Sequence, residues 1–441
     1  MNSPSLRLSR IENARLLPCV DETTITDGTV VIDGERIAWV GPSHDLPREF
    51  SDEAIPATGV DGATVMPGLV DGHMHISFGE PQTEEELYIY TPSAYRAIRA
   101  AANAETVLLA GVTSACDPGG PTGIAPAVRD AVAAGLIQGP RFSAAGRQIT
   151  TQQGIGDTLP RWIDVEESSF GALVHGRDEL LSEIRDQVKD GVDLIKIAGS
   201  GPGTTEWAAF RRDELELAVD EAHRLGRPLA MHARSRQSVA DAAAAGVDWI
   251  MHASYMDTET LDRVLDQGIP LLPAMTLLVN SLEAGGMRPA TNDAIRRELD
   301  AAVSILSKAH EQGATLIAGS ESGFAMTPYG QWHTREMELF VSHLGMTDMR
   351  ALLCMTRDAA VAVPSHSAMI GTLTEGKYAD MLIVDGRPDE NVSVLADRRR
   401  FRVIKGGQEV KPWRPDALPA RRMPFEQSRP YVPALFEREL P

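Results

Sequence analysis

Short apolar runs alternate with helical patterns through the middle of the chain. Eight of these runs have the length and the bounding turn residues of buried strands. The segments between them carry apolar residues at helical spacing, as in Asp213 to Leu225, which predicts amphipathic helices. The candidate strands lie near 66–72, 111–115, 140–145, 192–197, 228–232, 248–252, 270–275 and 314–319.

Eight βα units over roughly 300 residues predict an α/β fold, a (β/α)₈ TIM barrel with insertions. An open, doubly wound sheet is the competing architecture. No glycine-rich phosphate loop follows the first strand, so a nucleotide-binding version of that sheet is disfavoured.

Both ends of the chain have the sequence pattern of a β-domain, with short strands separated by turns. Residues 29–32 and 36–40 flank Asp33-Gly34, which predicts a hairpin. Similar strands return at 379–386 and 401–407, so we expect one small β-sandwich domain built from both termini. The predicted organisation is β-domain 1–65, barrel 66–372, β-domain 373–410 and a Pro- and Arg-rich tail 411–441.

The composition narrows the class of protein. Of 441 residues, 43% are hydrophobic and 24% are charged, as in an ordinary globular protein. A formal charge of −20 argues against nucleic acid or an anionic membrane as a partner. No run has the length of a membrane helix, and the N-terminal residues lack the apolar core of a signal peptide. Three scattered cysteines suit a reducing compartment, so we expect a cytoplasmic protein. We also expect it to be a homo-oligomer that acts on a small molecule.

Candidate chemistry begins at the end of the first strand, in Met66-Pro67-Gly68-Leu69-Val70-Asp71-Gly72-His73-Met74-His75. Alternate side chains of a strand share a face, so His73 and His75 should point the same way. Two converging imidazoles are half of a set of ligands for a divalent cation. The alternative is a pair of solvated or hydrogen-bonded histidines.

The ends of later strands repeat this chemistry. Lys196 lies inside the fourth strand, where an unpaired ammonium would be costly to bury. His232 ends the fifth strand, His252 ends the sixth and Glu321 follows the eighth. Functional side chains of a barrel lie at these carboxyl ends, so their joint occurrence favours one site.

The chain resembles the amidohydrolase superfamily, in its imidazolonepropionase-like branch, which includes Xaa-Pro dipeptidase-like and phenylurea hydrolase-like enzymes. The likeness spans nearly the whole chain and rests on the segment ending in His73-Met74-His75 and on further motifs. Those motifs are Gly111-Val112-Thr113-Ser114, Gly139-Pro140-Arg141, Ile195-Lys196-Ile197, Met231-His232-Ala233, Met251-His252-Ala253 and the segment 371–380.

The resemblance implies a binuclear metal centre, most often with two Zn²⁺ ions. By this analogy His73, His75 and Glu321 hold the more buried ion, and His232 and His252 hold the other. Lys196, carboxylated by CO₂, would bridge both ions. Paired metals would generate hydroxide near neutral pH, and Glu321 would act as the catalytic group that relays a proton to the departing nitrogen.

Two departures from the family pattern stand out. Relatives usually have Asp where this chain has Glu321, and the extra methylene adds about 1.5 Å of reach. A single-ion site is therefore an open alternative. Relatives also often carry a histidine after the third strand, and the corresponding residues 150–157 contain none. The candidate substrate-binding residues are His333, Arg234 and Tyr255. The alternative for each is a structural role or a position at the rim of the site without substrate contact.

The function implied is hydrolysis of an amide-like C–N bond in a small molecule: a dipeptide, N-acyl amino acid, cyclic amide, urea or carbamate. A metal-dependent decarboxylase or lyase on the same scaffold is the alternative within enzymes. A non-catalytic assembly protein is the alternative outside enzymes, although such proteins typically lose the ligand positions that this chain keeps.

Overall fold

The computed structural model describes residues 8–121, 123–163, 169–201, 207–285 and 287–413. The strands are β1 (Leu8–Leu16), β2 (Ile25–Asp33), β3 (Arg36–Pro42), β4 (Ala57–Gly59), β5 (Thr64–Pro67), β6 (Leu69–Asp71), β7 (Val112–Asp117), β8 (Arg141–Ala144), β9 (Gln148–Thr150), β10 (Gly171–Leu173), β11 (Ile195–Ala198), β12 (Leu229–Ala233), β13 (Trp249–His252), β14 (Leu271–Leu272), β15 (Met381–Val384), β16 (Phe401–Lys405) and β17 (Gln408–Glu409).

The α-helices are α1 (Glu84–Tyr88), α2 (Ser93–Leu109), α3 (Ile124–Ala133), α4 (Arg177–Lys189), α5 (Arg212–Arg224), α6 (Arg236–Ala245), α7 (Thr258–Gln267), α8 (Thr276–Ala284), α9 (Pro289–Glu311), α10 (Arg335–Leu344) and α11 (Asp348–Cys354). Short 3₁₀ helices lie at Ser43–Asp45, Arg48–Phe50, Asp358–Ala362, Ser367–Met369, Val392–Ala396 and Arg398–Arg400.

Strands from both ends of the chain pair in one eight-stranded sheet. Its order is β17-β16-β15-β5-β1-β2-β3, with β4 paired to β1. The hairpin predicted around Asp33-Gly34 is present, since β2 and β3 pair antiparallel and Gly34 takes a φ of 58°. The boundary predicted after residue 65 falls inside β5, and most of the predicted tail lies outside the described residues.

The first predicted strand, 66–72, is two strands that belong to different sheets. Up to Pro67 the chain pairs with β15, and from Leu69 it pairs with β7. Gly68 lies at the change of partner, where a Cβ atom would be 2.1 Å from Thr113 Oγ1. Only a residue without a side chain fits this close approach, which occurs where the chain leaves one sheet and joins the other.

Parallel strands alternating with helices form the rest of the molecule. One sheet has the order β6-β7-β8 and the other has the order β10-β9-β11-β12-β13-β14. Strands β11, β12 and β13 are buried along their full length, as expected for a parallel sheet covered on both faces. Strands β9 and β10, three residues each, were not predicted from the sequence.

The predicted eighth strand, 314–319, is not a regular strand. Leu316 forms a single bridge with Leu271, and Gly72 N donates to Ala318 O at 3.0 Å. This segment therefore lies between β14 and the end of β6. The arrangement is a TIM-barrel-like α/β fold with an added β-domain; the described pairs form separate sheets, so complete eight-stranded closure stays a prediction.

The largest apolar core lies between the parallel strands and the helices, and a second apolar cluster fills the β-domain. Cys19, Cys116 and Cys354 are buried free thiols. No helix in the described ranges has the length and apolar character needed to cross a membrane.

Candidate active site

Six buried residues converge where the parallel strands end. His73 and His75 follow β6, in a segment held by hydrogen bonds from Met74 N to Cys116 O and from His75 N to Ser322 O. The other four belong to β11, β12, β13 and the segment after 314–319. The six residues are each at most 4% exposed: His73, His75, Lys196, His232, His252 and Glu321.

His73, His75 and Glu321 form a compact group of ligand-type atoms. One atom from each lies within 4.8 Å of the others. The two histidine Nε2 atoms are 3.2 Å apart, and each is 3.7 Å from an oxygen of Glu321. The prediction that both imidazoles face the same way agrees with this arrangement.

The tautomer of His75 follows from its contacts. Its Nδ1 lies 2.7 Å from the carbonyl oxygen of Gly119, which can only accept, so Nδ1 carries the hydrogen. The Nε2 lone pair is then directed towards His73 and Glu321. The ring of Phe78 stacks on His75 with centroids 4.2 Å apart, which fixes the plane of the imidazole.

His232 and His252 form the opposite side of the site. Their ring centroids are 4.5 Å apart, and His252 Nε2 lies 3.3 Å from Glu321 Oε1. The backbone of His252 and of Ala253 is left-handed, with φ of 73° and 54°. Such conformations are unfavourable for non-glycine residues and are concentrated at functional sites.

Lys196 reaches the site from within β11. Its Nζ contacts Met251 Sδ, and no carboxylate among the described residues pairs with it. Burial lowers the pKa of Lys196 to about 7, so a substantial fraction of the amine is neutral near neutral pH. A neutral amine is the form that adds CO₂ to give a carbamate.

The electrostatics favour neutral imidazoles and an ionised carboxylate. Burial lowers the pKa of His73, His232 and His252 well below the ordinary value. Burial disfavours the ionised form of Glu321, but the interactions with His73 and His75 outweigh it and hold the pKa of the carboxyl group below its ordinary value. Neutral imidazole and carboxylate are the forms that ligate divalent metals.

These residues fit a divalent cation. The buried atoms His73 Nδ1, His232 Nε2 and His252 Nε2 lack a hydrogen-bond partner in the described structure. Buried polar atoms are normally satisfied, so the unpartnered Nε2 atoms of His232 and His252, the second of which lies 3.3 Å from Glu321 Oε1, are available as metal ligands. The group that meets the distance criterion together is His73, His75 and Glu321.

The structure gives His333 a different environment from the one predicted. Its Nδ1 lies 2.8 Å from Asp71 Oδ2, and Gly330 N donates to its Nε2 at 3.0 Å. Both ring nitrogens are therefore used inside the protein. This geometry favours a role in positioning other residues and does not support direct contact with substrate.

Arg234 and Tyr255 lie beside the histidine pair. Arg234 is 7% exposed, and its Nη1 is 3.4 Å from Glu298 Oε1. Its Nε has no partner in the described part of the chain. After burial, Arg234 is the next cause of the lowered pKa of His252, so its charge acts on the site. Tyr255 is half-buried and donates its backbone N–H to Arg234 O at 3.0 Å.

Sequence reasoning missed several residues that support the site. Asp71 and Ser320 hydrogen-bond behind it, Glu298 faces Arg234, and Phe78 stacks on His75. Asp71 stands inside the motif that ends in His73 and His75, so its position in the sequence was a usable signal. Glu298 lies within the long helix α9, and nothing local marks it.

Comparisons with known proteins place the chain in a family. Residues 64–410 match the amidohydrolase family model. Ochratoxinase from Aspergillus niger is 26% identical over 93% of this chain and 89% of its own length. Imidazolonepropionase from Pseudomonas aeruginosa (strain UCBPP-PA14) is 24% identical over 88% of this chain and 94% of its own length.

Solved structures share the fold. The crystal structure of A. niger ochratoxinase has a TM-score of 0.82 at 24% identity, covering 92% of this chain and 96% of that one. A Xaa-Pro dipeptidase with methionine bound in its active site has a TM-score of 0.80 at 25% identity, covering 92% of this chain and all of that one. The resemblance inferred from the motifs is thus confirmed: this chain belongs to the amidohydrolase family.

Proposed function

We propose that this chain is a metal-dependent hydrolase that cleaves an amide-like C–N bond in a small molecule. The observation that carries the proposal is the buried group of His73, His75 and Glu321 beside the unpartnered ring nitrogens of His232 and His252. The names of its relatives, ochratoxinase and Xaa-Pro dipeptidase among them, support hydrolysis as the reaction class.

The proposed occupants of the site are two divalent ions, zinc being the first choice for imidazole and carboxylate ligands. His73, His75 and Glu321 would hold one ion, and His232 and His252 would hold the other. Lys196, carboxylated on Nζ, would bridge the two; its burial without a carboxylate partner supports this assignment. When bound, such ions activate water near neutral pH and polarise a carbonyl.

Glu321 is the proposed proton carrier. Its pKa is held below the ordinary value, so at neutral pH it is a carboxylate that can accept the proton released when water attacks the carbonyl carbon. The same carboxyl group then donates that proton to the leaving nitrogen, which would otherwise depart as a poor, anionic leaving group. Both transfers require the Glu321 oxygens to stay at the position fixed by the three histidines around them.

Arg234 and Tyr255 are the proposed substrate-orienting residues. A buried guanidinium with an unpartnered Nε suits a carboxylate or a developing oxyanion. Substrates with a free carboxylate, such as dipeptides and N-acyl amino acids, would use this contact. Cyclic amides, ureas and carbamates would place their carbonyl oxygen there.

Metal content per chain, followed by a substrate panel, tests the proposal. We expect purified protein to contain one or two divalent ions, to lose activity on prolonged chelation, and to regain it with zinc, manganese or cobalt. Amide, urea and carbamate substrates should release amine; release of CO₂ from a carboxylic acid without hydrolysis would indicate the lyase alternative.

Histidine variants separate ligation from general destabilisation. His73→Ala and His75→Ala should lose metal and activity together, because the segment after β6 supplies two ligands to one ion. His44→Ala is the matched control, since that side chain is 79% exposed and lies in the β-domain. Full activity of a preparation verified to be metal-free, or of His73→Ala, would contradict the proposal.

We also propose a cytoplasmic homo-oligomer. Three buried free cysteines support a reducing compartment. Light scattering of the purified protein tests the oligomeric state, and a single-chain mass would contradict it.

A further inference from the structure

A buried carboxylate outside the proposed ligand set organises the backbone behind the site. Asp71 Oδ1 accepts from His73 N at 3.1 Å and from Ser320 N at 3.0 Å. Asp71 Oδ2 accepts from Ser320 Oγ at 2.5 Å and lies 2.8 Å from His333 Nδ1. Asp71 has no exposed surface. One side chain therefore joins the end of β6, the segment that carries Glu321, and the entry to α10.

The hydrogen on His333 is fixed by its second contact. Gly330 donates a backbone N–H to His333 Nε2, so Nε2 must be an acceptor. The neutral ring then carries its hydrogen on Nδ1, which donates to Asp71 Oδ2. His333 is thus a directional donor to Asp71, and it spans from the loop before α10 to the floor of the site.

The residue held by this network is Glu321. Its φ of 55° is left-handed, a conformation that a non-glycine residue keeps only when its surroundings impose it. Ser320 on one side is bound twice by Asp71, and Ser322 N on the other side donates to Ser320 Oγ at 3.0 Å. Glu321 N itself donates to His73 O at 2.8 Å.

We propose that Asp71 and His333 are positioning residues that hold the segment 320–322 in the one conformation that aims the Glu321 carboxylate at the three histidines. This inference rests on the proposed function, because it assigns the network a purpose in placing Glu321. It also explains why His333, although buried at the site, has no ring nitrogen free for a substrate.

Two variants of His333 separate positioning from packing. In His333→Asn the side-chain amide nitrogen occupies the place of Nδ1 and retains the donor to Asp71. In His333→Gln the side-chain amide reaches the place of Nε2, can accept from Gly330, and loses the donor to Asp71. Both variants are polar and similar in size. His343→Gln, at an exposed position near the end of α10, is the matched control.

We expect His333→Gln to lower kcat by roughly 10- to 100-fold with little change in KM, the size seen when groups that orient metal ligands are removed. Its metal affinity, measured by competition with a chromogenic chelator, should fall by a comparable factor. His333→Asn should retain most of kcat and of the metal affinity, and His343→Gln should match the parent protein. Equal losses in the Asn and Gln variants, or no loss in either, would overturn the proposal.

Hydrogen exchange makes the test independent of the reaction. The amides of 320–323 are all hydrogen-bonded, so a peptide covering 318–327 reports the order of this segment. It should exchange faster in metal-free His333→Gln than in His333→Asn. If the parent protein bound no metal and hydrolysed nothing, the proposed function would fail, while this difference would still support positioning and its absence would still refute it.

Discussion

Replacement of Glu321 is the most decisive test of the proposed chemistry. The carboxylate lies 3.7 Å from His73 Nε2, 3.7 Å from His75 Nε2 and 3.3 Å from His252 Nε2. Glu321→Gln keeps the length, the volume and one oxygen of the side chain, but the neutral amide cannot accept a proton. A proton carrier contributes about 10²- to 10⁴-fold, so kcat should fall by that factor. In activation free energy this is about 3–5 kcal/mol.

The loss should appear in kcat and leave KM nearly unchanged, because Glu321 acts in the transition state and does not hold the ground-state substrate. Initial rates of amine release should be measured over a range of substrate concentrations and divided by the metal content of each preparation. Glu375→Gln, which alters an exposed carboxylate in a distant loop, is the control.

Glu321→Asp separates reach from charge. Asp is the residue that the family resemblance implies at this position, and it tolerates left-handed backbone at least as well as Glu does, so the fold should survive. The carboxylate would withdraw by about 1.5 Å from histidines placed for the longer side chain. A displacement of this size costs about 100-fold. We therefore expect kcat to decrease from the parent protein to Glu321→Asp and further to Glu321→Gln. A near-parental kcat in fully metallated Glu321→Gln would refute proton transfer by this residue.

Three further outcomes are expected. Lys196→Ala should lower metal occupancy, with partial rescue by short carboxylic acids that replace the missing anion; a structure with metal fully bound and an unmodified Lys196 ammonium paired to a carboxylate would contradict this. Arg234→Met should raise KM for an N-acyl amino acid by more than tenfold and leave its carboxyl-free amide analogue little changed, as measured by steady-state kinetics; equal effects on both would remove carboxylate recognition. Burial raises the pKa of Glu336 from 4.5 to about 7, so its contribution to stability is complete below pH 4.5 and is lost as the pH rises through 7. The free energy of unfolding, measured with urea, should therefore decline from pH 5 to pH 8 in the parent protein by up to about 3 kcal/mol more than in Glu336→Gln. An equal dependence of this free energy on pH in the two proteins would show that the Glu336 side chain is ionised throughout the range.

The sequence pattern correctly predicted those helices and hairpins whose formation depends on residues close together in the chain. The hairpin at Asp33-Gly34 and the helix over 213–225, observed as Arg212–Arg224, depend on turn chemistry and on apolar spacing. The strand predicted over 66–72 was wrong because the chain changes its partner at Gly68, from β15 to β7, and both partners are far away in sequence. No periodicity within 66–72 contains that information.

The candidate site also contains features that the sequence predicted and features that it did not. The motifs predicted which side chains converge, because strand ends meet at one edge of a parallel sheet. They did not predict what lies behind those side chains. His333 was assigned to the substrate, whereas its nitrogens bond to Asp71 and to the backbone of Gly330. Hydrogen-bond partners of this kind depend on three-dimensional packing, and a histidine in a loop sequence does not identify them.

Strained backbone and unpartnered polar atoms are both found at this site. Three of the nine described non-glycine residues with left-handed backbone, His252, Ala253 and Glu321, lie in the site or next to it. Each such conformation costs about 1–3 kcal/mol. The unpartnered nitrogens of His232 and His252 add the cost of buried, unsatisfied polar groups. Interactions elsewhere in the fold must offset these costs, because the conformation of the site by itself destabilises the native state. An ion bound by the unpartnered nitrogens would stabilise the native state by mass action and satisfy those atoms at once, which is why metal affinity and fold stability should change together in this protein.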